Sequence, residues 1–505
     1  MKEEEILKIL GLAGIGATTL TQTNINNELK IINNRLSYLS SNLKNIISEA
    51  LNEELRLSNS IPLIPHIKDT QELKSYAERI GSSLAQWNII YDIFVWKDTA
   101  VALVGRLPSG LYDVESHKWI HIENRKYYEA IGGVAISRES EVVGWTSWDT
   151  PYMFLWNGKE VKMVDIGKNT GGNIVSVEED FYTYRNDGKL IKVTPDGTVT
   201  EVSQNPNHNG ATCWMAKSLG SKLFFPTPYP DRRLYSYDLN TGTWTIEKEY
   251  GGTIHDPRWA YINIATWDVL SYFGVMDSQY RNQFFLGFLR ILGTTTEKYD
   301  YGILPYSYSS SGDVWNMNPI PISIHENVFI HSINGILWAT GHPPGSTAYP
   351  PNVQPLGVFP LIQSGIMWKG GLLVGTKPAI NTISIVPPTR YSLLCYIKLD
   401  DIFKLRLPPA KAIIWYSKQV GPEETSLPLV TEGWKEVTIL FKSNTPGDLT
   451  IQVDPDGRAN IDGWEDYITK TPTTKEIITI QDHFARIRLK FSSSATVTAK
   501  AYLTP

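Results

Sequence analysis

From Ile25 the apolar residues step through Leu29, Ile32, Leu36, Leu39, Leu43, Ile46 and Ala50 at alternating intervals of four and three, the repeat of a coiled coil. Asn26, Asn27, Asn33, Asn34, Asn42 and Asn45 all fall outside that seam. With Leu29, Leu36, Leu43 and Ala50 at a sites and Ile25, Ile32, Leu39 and Ile46 at d sites, the residue types favour assemblies larger than dimers. The pattern predicts a stalk over residues 23–57 that forms a homotrimer through Ile25, Leu29, Ile32, Leu36, Leu39, Leu43 and Ile46; the plainer alternative is an amphipathic helix laid on the chain's own body. The repeat stops at Glu53, and the prolines in 58–65 forbid a continuing helix, so residues 58–81 read as a linker. Ahead of the stalk, residues 6–20 are apolar but hold Lys8 and three glycines, too short a run for a membrane span of about 20 residues. An anchor-like helix over 1–22, packed on protein or on a membrane surface, is the expectation.

Over residues 82–386 the period shortens to strands, in runs of Val, Ile, Tyr, Phe and Trp punctuated by Gly, Pro, Asn and Asp. Four segments align as strand, polar turn and strand: GLYDVESHKWI (110–120), PYMFLWNGKEV (151–161), KLIKVTPDGTV (189–199) and RLYSYDLNTGTWT (233–245). Their anchors Trp119, Val161, Val199 and Trp244 recur at about the 40 to 50 residues of a four-stranded propeller blade. Strands are also expected at 284–292, 328–339 and 365–375, the last two with hairpin signals at Asn334-Gly335 and Gly370-Gly371. The expected fold is mainly β: an N-terminal helical coiled-coil stalk, a propeller-like head of six or seven blades over 82–386, and an antiparallel β-sandwich over 387–505, beyond Pro387 and Pro388. A pair of β-sandwiches is the alternative for the head.

Tyr237, Asp238, Thr241, Gly242 and Trp244 together resemble the outer hairpin of kelch-like propeller blades; Tyr112, Asp113 and Trp119 keep the ends of that form without its glycine. That resemblance implies that tryptophans such as Trp119, Trp145, Trp156, Trp338 and Trp368 pack between blades, with a glycan-binding face as the alternative use. Past residue 447, GDLTIQVDPDG, Trp464, KEIITI, FARIRL and ATVTAKAYL are similar to a β-sandwich of phage and viral structural proteins. Pro455, Asp456 and Gly457 supply the turn, and Arg486 and Arg488 alternate with Ala485, Ile487 and Leu489, which predicts that both arginines face solvent on an outer strand. The family's members act as carriers or decorators of virion surfaces.

Composition narrows the chemistry. Forty-seven basic residues against 52 acidic ones leave a net charge of −5, so no basic field attracts nucleic acid. Two cysteines provide neither a disulfide framework nor a cysteine zinc site. Three glutamates stand where a secretory signal needs positive charge. The nine histidines form no metal-binding motif, with His117 and His121 the closest pair, and no nucleophile elbow, phosphate loop, dinucleotide fingerprint or sialidase Asp-box occurs. No catalytic, cofactor or metal residue is therefore expected.

Exposed Pro- and Tyr-rich loops are the expected binding elements, with Tyr229, Arg232 and Arg233 in one and Tyr306, Tyr308 and Tyr349 in two others. The whole reads as a spike or fibre on a virion surface, tied to other virion proteins by its N-terminal segment and attached multivalently to a host glycan or surface-layer protein. A virion-borne glycosidase or polysaccharide lyase and a cellular surface adhesin are the alternatives.

Overall fold

Short apolar runs closed by tight turns fold here into antiparallel meanders. The computed structural model describes residues 89–505, less a set of short segments of which 124–132, 306–319, 342–351, 377–393 and 399–406 are the longest. The anchor-like segment, the stalk and its seven seam residues lie outside the described residues. Sheet 1 holds β1–β4 (Ile89–Trp96, Thr99–Gly105, Ser109–Asp113, Lys118–Glu123) and sheet 2 holds β5–β8 (Ala135–Ile136, Val143–Thr146, Tyr152–Trp156, Val161–Asp165). Sheet 3 holds β9–β12 (Val175–Val177, Asp180–Tyr184, Lys189–Val193, Val199–Gln204) and sheet 4 holds β13–β16 (Lys217–Leu219, Lys222–Thr227, Arg233–Asp238, Thr243–Glu249). Sheet 5 begins with β17–β20 (Ile254–Asn263, Val269–Met276, Phe284–Leu292, Thr295–Leu304), and sheet 6 holds β21–β24 (Ile320–His325, Val328–Ile333, Ile336–Gly341, Asn352–Val358). Sheet 7 holds β25–β27 (Ile362–Trp368, Gly371–Thr376, Leu394–Lys398), so its last strand comes from beyond the two prolines at 387 and 388.

The first strands of these sheets stand side by side: β5 against β9, β9 against β13, β13 against β17, β21 against β25, and β25 against β1. The last sheet thus returns to the first, in a propeller-like ring with first strands at its centre. Trp119, Val161, Val199 and Trp244 lie at or next to the start of the fourth strand in sheets 1 to 4, which explains their even spacing. Between sheets the aromatics do the packing. Trp145, Trp156 and Trp338 are fully buried, and Trp244 lies 5.0 Å from Tyr237 in its own sheet and 5.5 Å from Tyr184 in sheet 3, with its indole N–H donating to Ser203.

The remaining strands are β28–β34 (Ala410–Val420, Glu424–Thr425, Leu429–Val430, Glu436–Asp454, Glu465–Ile480, Arg486–Phe491, Ala495–Thr504). Strand β31 organises them: β34 pairs with its first half, β33 with its second, and β32 runs along its other edge. Buried Val437, Ile439, Phe441, Ile478, Ile480, Val497, Ala499 and Leu503 alternate with exposed neighbours, so one face lies in the core and the other in water. Gln283 extends its amide to β28, donating to the Ile413 carbonyl at 2.9 Å and accepting from its N–H at 2.7 Å, where a further strand would otherwise pair.

These strands continue sheet 5 through β30, with Ile303 opposite Leu429. The two backbones approach so closely at Gly302 that a Cβ there would stand 2.6 Å from the Pro428 carbonyl oxygen. Here one expectation fails: β33 is an interior strand, with β31 on one side and β30 on the other, and Arg486 is fully buried. Its guanidinium donates to Asp454 (Nε, 2.7 Å), the Tyr301 carbonyl (2.7 Å), the Gly457 carbonyl (3.1 Å) and the Tyr299 hydroxyl. Alternation does place Arg486 on the face opposite Ile487, but β20 covers that face with Tyr299 and Tyr301. The Asp454–Gly457 turn closes the arginine's cage: Gly457, at φ 79°, offers its carbonyl to the guanidinium, and a Cβ there would stand 3.0 Å from the Tyr301 hydroxyl.

Candidate functional site

Of the residues expected to bind ligand, Arg232 and Arg233 are described; Tyr229, Tyr306, Tyr308 and Tyr349 lie outside the described residues, as does His117. The turn between β14 and β15 puts Arg232 at φ 54°, half-buried, with Arg233 entering β15. Arg233 is held from several sides: its guanidinium meets Glu249 at 2.8 Å, Asp231 at 3.4 Å and the Asn207 carbonyl at 3.2 Å. Asp231 is buried and accepts from Thr227 at 2.9 Å, while the Tyr235 hydroxyl lies 2.9 Å from Asp231 and 2.7 Å from the Asn207 carbonyl, one hydrogen serving two acceptors. Arg233 therefore braces the turn against the loop that leads from sheet 3 to sheet 4, which is a scaffold role.

That loop and sheet 3 form a continuous polar network beside it. The Tyr184 hydroxyl lies 2.8 Å from His208 Nδ1 and accepts from Asn205 at 3.0 Å, and His208 Nε2 lies 3.0 Å from the Asn186 carbonyl. Burial pushes the Tyr184 phenol far above its ordinary value, so it stays neutral and acts only through hydrogen bonds. Arg185 grips Asp187 and the Ile166 carbonyl, and the guanidinium holds Asp187 down at about 2. Asn173 sits beneath, buried, with its amide donating to the carbonyls of Thr170, Tyr184 and Cys213 and its oxygen accepting from the Tyr184 N–H. One side chain so ties together the loops that enter and leave sheet 3.

On the first strands of two sheets, Asp92 on β1 and Lys217 on β13 carry opposite charges that act on one another, a relation that sequence reasoning missed. Both side chains are half-buried. Burial raises the Asp92 carboxyl to about 6, against the pull of the Val134 and Ile93 N–H groups at 2.7 and 2.8 Å and the charge of Lys217; burial likewise lowers Lys217, with Asp92 acting against it. No local signal marks them, since a register shift between Ile90 and Asp92 aims the carboxylate and ring closure brings in the lysine. Among the described residues no group of three metal-ligating side chains converges, and no helix is long and apolar enough to cross a membrane.

Glu432, in the turn after β30, is likewise raised by burial, to about 7. The folded chain then holds this proton more tightly than the unfolded chain does, and stability falls as pH rises from about 4.5 to about 7. The thermal midpoint of the parent is expected to drop relative to Glu432→Gln across that window. A pH-independent difference between the two would mean an ordinary carboxyl.

No family model matches the chain, and no curated protein matches it. Among solved structures it is similar to the WD40 repeats of RRP9, at 8% identity and a TM-score of 0.42 over 62% of this chain and 96% of that one. It is also similar to the β-propeller domain of Cps50 (Swd1) from Myceliophteria thermophila, at 11% identity and a TM-score of 0.39 over 61% and 98% of the two chains. BamB from Moraxella catarrhalis aligns at 12% identity with a TM-score of 0.35, covering 58% of this chain and 83% of its own.

Proposed function

We propose that this chain is a structural attachment protein of a virion, a spike or fibre that presents a propeller-like head and a C-terminal β-sandwich on a trimeric coiled-coil stalk and binds the host surface multivalently. The observation that carries the reading is the unbroken heptad seam from Ile25 to Ile46 ahead of a large β-rich body. Several heads on one stalk raise effective concentration, so each head needs only a weak site. The braced loops support this use: Arg233 and Asn173 are spent on holding loops of the ring, and Arg486 on holding the C-terminal strands to β20, which leaves the exposed faces to do the binding. The resemblance of the C-terminal strands to virion proteins points to the same setting.

Light scattering of the full chain is expected to give three copies, and deletion of residues 1–57 to give one. A full chain that is already monomeric would overturn the trimer. Adsorption of the full chain to host cells without release of reducing sugar from their envelope polysaccharide is expected of an attachment protein; sugar release would replace this reading with a depolymerase.

A further inference from the structure

The outward face of the C-terminal sheet carries a cluster of like charge. Lys442 on β31 stands directly opposite Lys475 on β32, and one pair further along Leu440 faces Ile477 on β32 and Lys500 on β34. Tyr502 continues that face and pairs with Lys411 on β28, whose ammonium lies 5.9 Å from the tyrosine ring. Lys411, Lys442 and Lys475 are exposed and Lys500 is half-buried. None of the four makes an ion pair with a carboxylate among the described residues. Between them stand Thr438, Thr479 and Thr498, and Thr438 and Thr479 hydroxyls meet at 3.1 Å. Along the pairs from Glu436 to Lys442 the one outward carboxylate is that of Glu436, at the far end; Asp466 stands opposite Gln452 on the second half of β31.

Like charges directly opposite on neighbouring strands cost stability, and among the described residues no carboxylate pairs with these lysines to offset it. A compensating ligand would have to be anionic, extended and flat enough to lie on a sheet whose strands are about 4.8 Å apart and whose same-face residues are about 7 Å apart. Tyr502 and Ile477, 40% and 66% exposed, add two apolar surfaces within the charge cluster, a ring face suited to a sugar plane and an aliphatic one. We propose that this face binds an anionic polysaccharide, with Lys442, Lys475, Lys500 and Lys411 contacting its sulfate or carboxylate groups and Tyr502 stacking on a sugar ring. The inference deepens the attachment reading and rests on it for its biological setting, while the binding itself is a property of the purified chain.

The test measures binding of the full chain to heparin, to polygalacturonate and to neutral dextran, at low and at physiological salt. Heparin or polygalacturonate is expected to bind and dextran not, with affinity falling as salt rises because the contacts are exposed. The triple variant K442T/K475T/K500T is expected to lose about tenfold or more in affinity, since each exposed ionic contact is modest and three are removed. Its thermal midpoint should stay level or rise, as repulsion is relieved, which separates lost binding from lost folding. Lys118→Thr, exposed on sheet 1, should bind as the parent does. Sulfated and carboxylated probes tell apart the two anionic groups, either of which supports the proposal. Absence of binding to both at low salt, undiminished binding by the triple variant, or equal binding to phosphatidylserine vesicles or duplex DNA would overturn it. Polysaccharide binding by a chain that fails to adsorb to cells would support this face and sink the attachment reading alone.

Discussion

Replacing Arg486 with methionine is expected to destabilise the folded chain by about 3–5 kcal/mol, the cost of removing one partner from a buried ion pair. Asp454 is 1% exposed and would lose the guanidinium that donates to it, and the carbonyls of Tyr301 and Gly457 would lose their donor. The guanidinium also lies 4.4 Å from the Tyr301 ring and 5.4 Å from Trp464, contacts that a methionine keeps only as van der Waals packing. Arg486→Lys retains the charge without the planar fork, so an intermediate loss is expected. The double variant Arg486→Met with Asp454→Leu should recover much of the loss, because it removes both buried charges together. Denaturant unfolding of the three variants measures this; a loss under about 1 kcal/mol in Arg486→Met would show that the cage does not hold sheet 5 to the C-terminal strands.

Asn173→Ala is expected to cost about 3 kcal/mol, and Asn173→Asp at least as much. The alanine leaves the Tyr184 N–H and three carbonyls without their partner in a buried site, where each unsatisfied group costs about 1–3 kcal/mol and partial relaxation with water returns some of it. The aspartate keeps the acceptor for the Tyr184 N–H at 2.7 Å but turns a negative oxygen toward the carbonyls of Tyr184 and Cys213. Because Asn173 links the approach to sheet 3 with the loop that leaves it, the loss should appear as faster amide exchange at Thr183, Tyr184 and their strand partners in β11. Exchange unchanged there would mean that the two loops are held independently of this side chain.

Much of the β architecture was legible along the chain, because period-2 alternation and turn residues act within a few positions of one another. The anchors Trp119, Val161, Val199 and Trp244 mark the fourth strands of four sheets through local hairpins alone, and the Tyr237-to-Trp244 hairpin closes as its residue pattern implies, with Gly242 at φ 69°. The bracing of Arg233 is not legible along the chain, since its partners Asn207 and Glu249 come from another loop and another strand.

What the sequence by itself determined is the spacing of strands, the heptad seam and the absence of a general basic field, all readable from intervals and sums. What only the tertiary structure decided is which of two alternating faces is dry. Arg486 and Lys442 occupy formally similar outward positions on neighbouring strands, yet one is sealed under Tyr299 and Tyr301 and the other stands in water opposite Lys475. The physical reason is that alternation assigns a residue to a face, whereas the dielectric around that face is set by whichever distant segment packs on it, here a strand from nearly 190 residues earlier in the chain. The electrostatic influence of Asp92 and Lys217 on one another has the same origin, since β1 and β13 are brought together by a closure that no local pattern records.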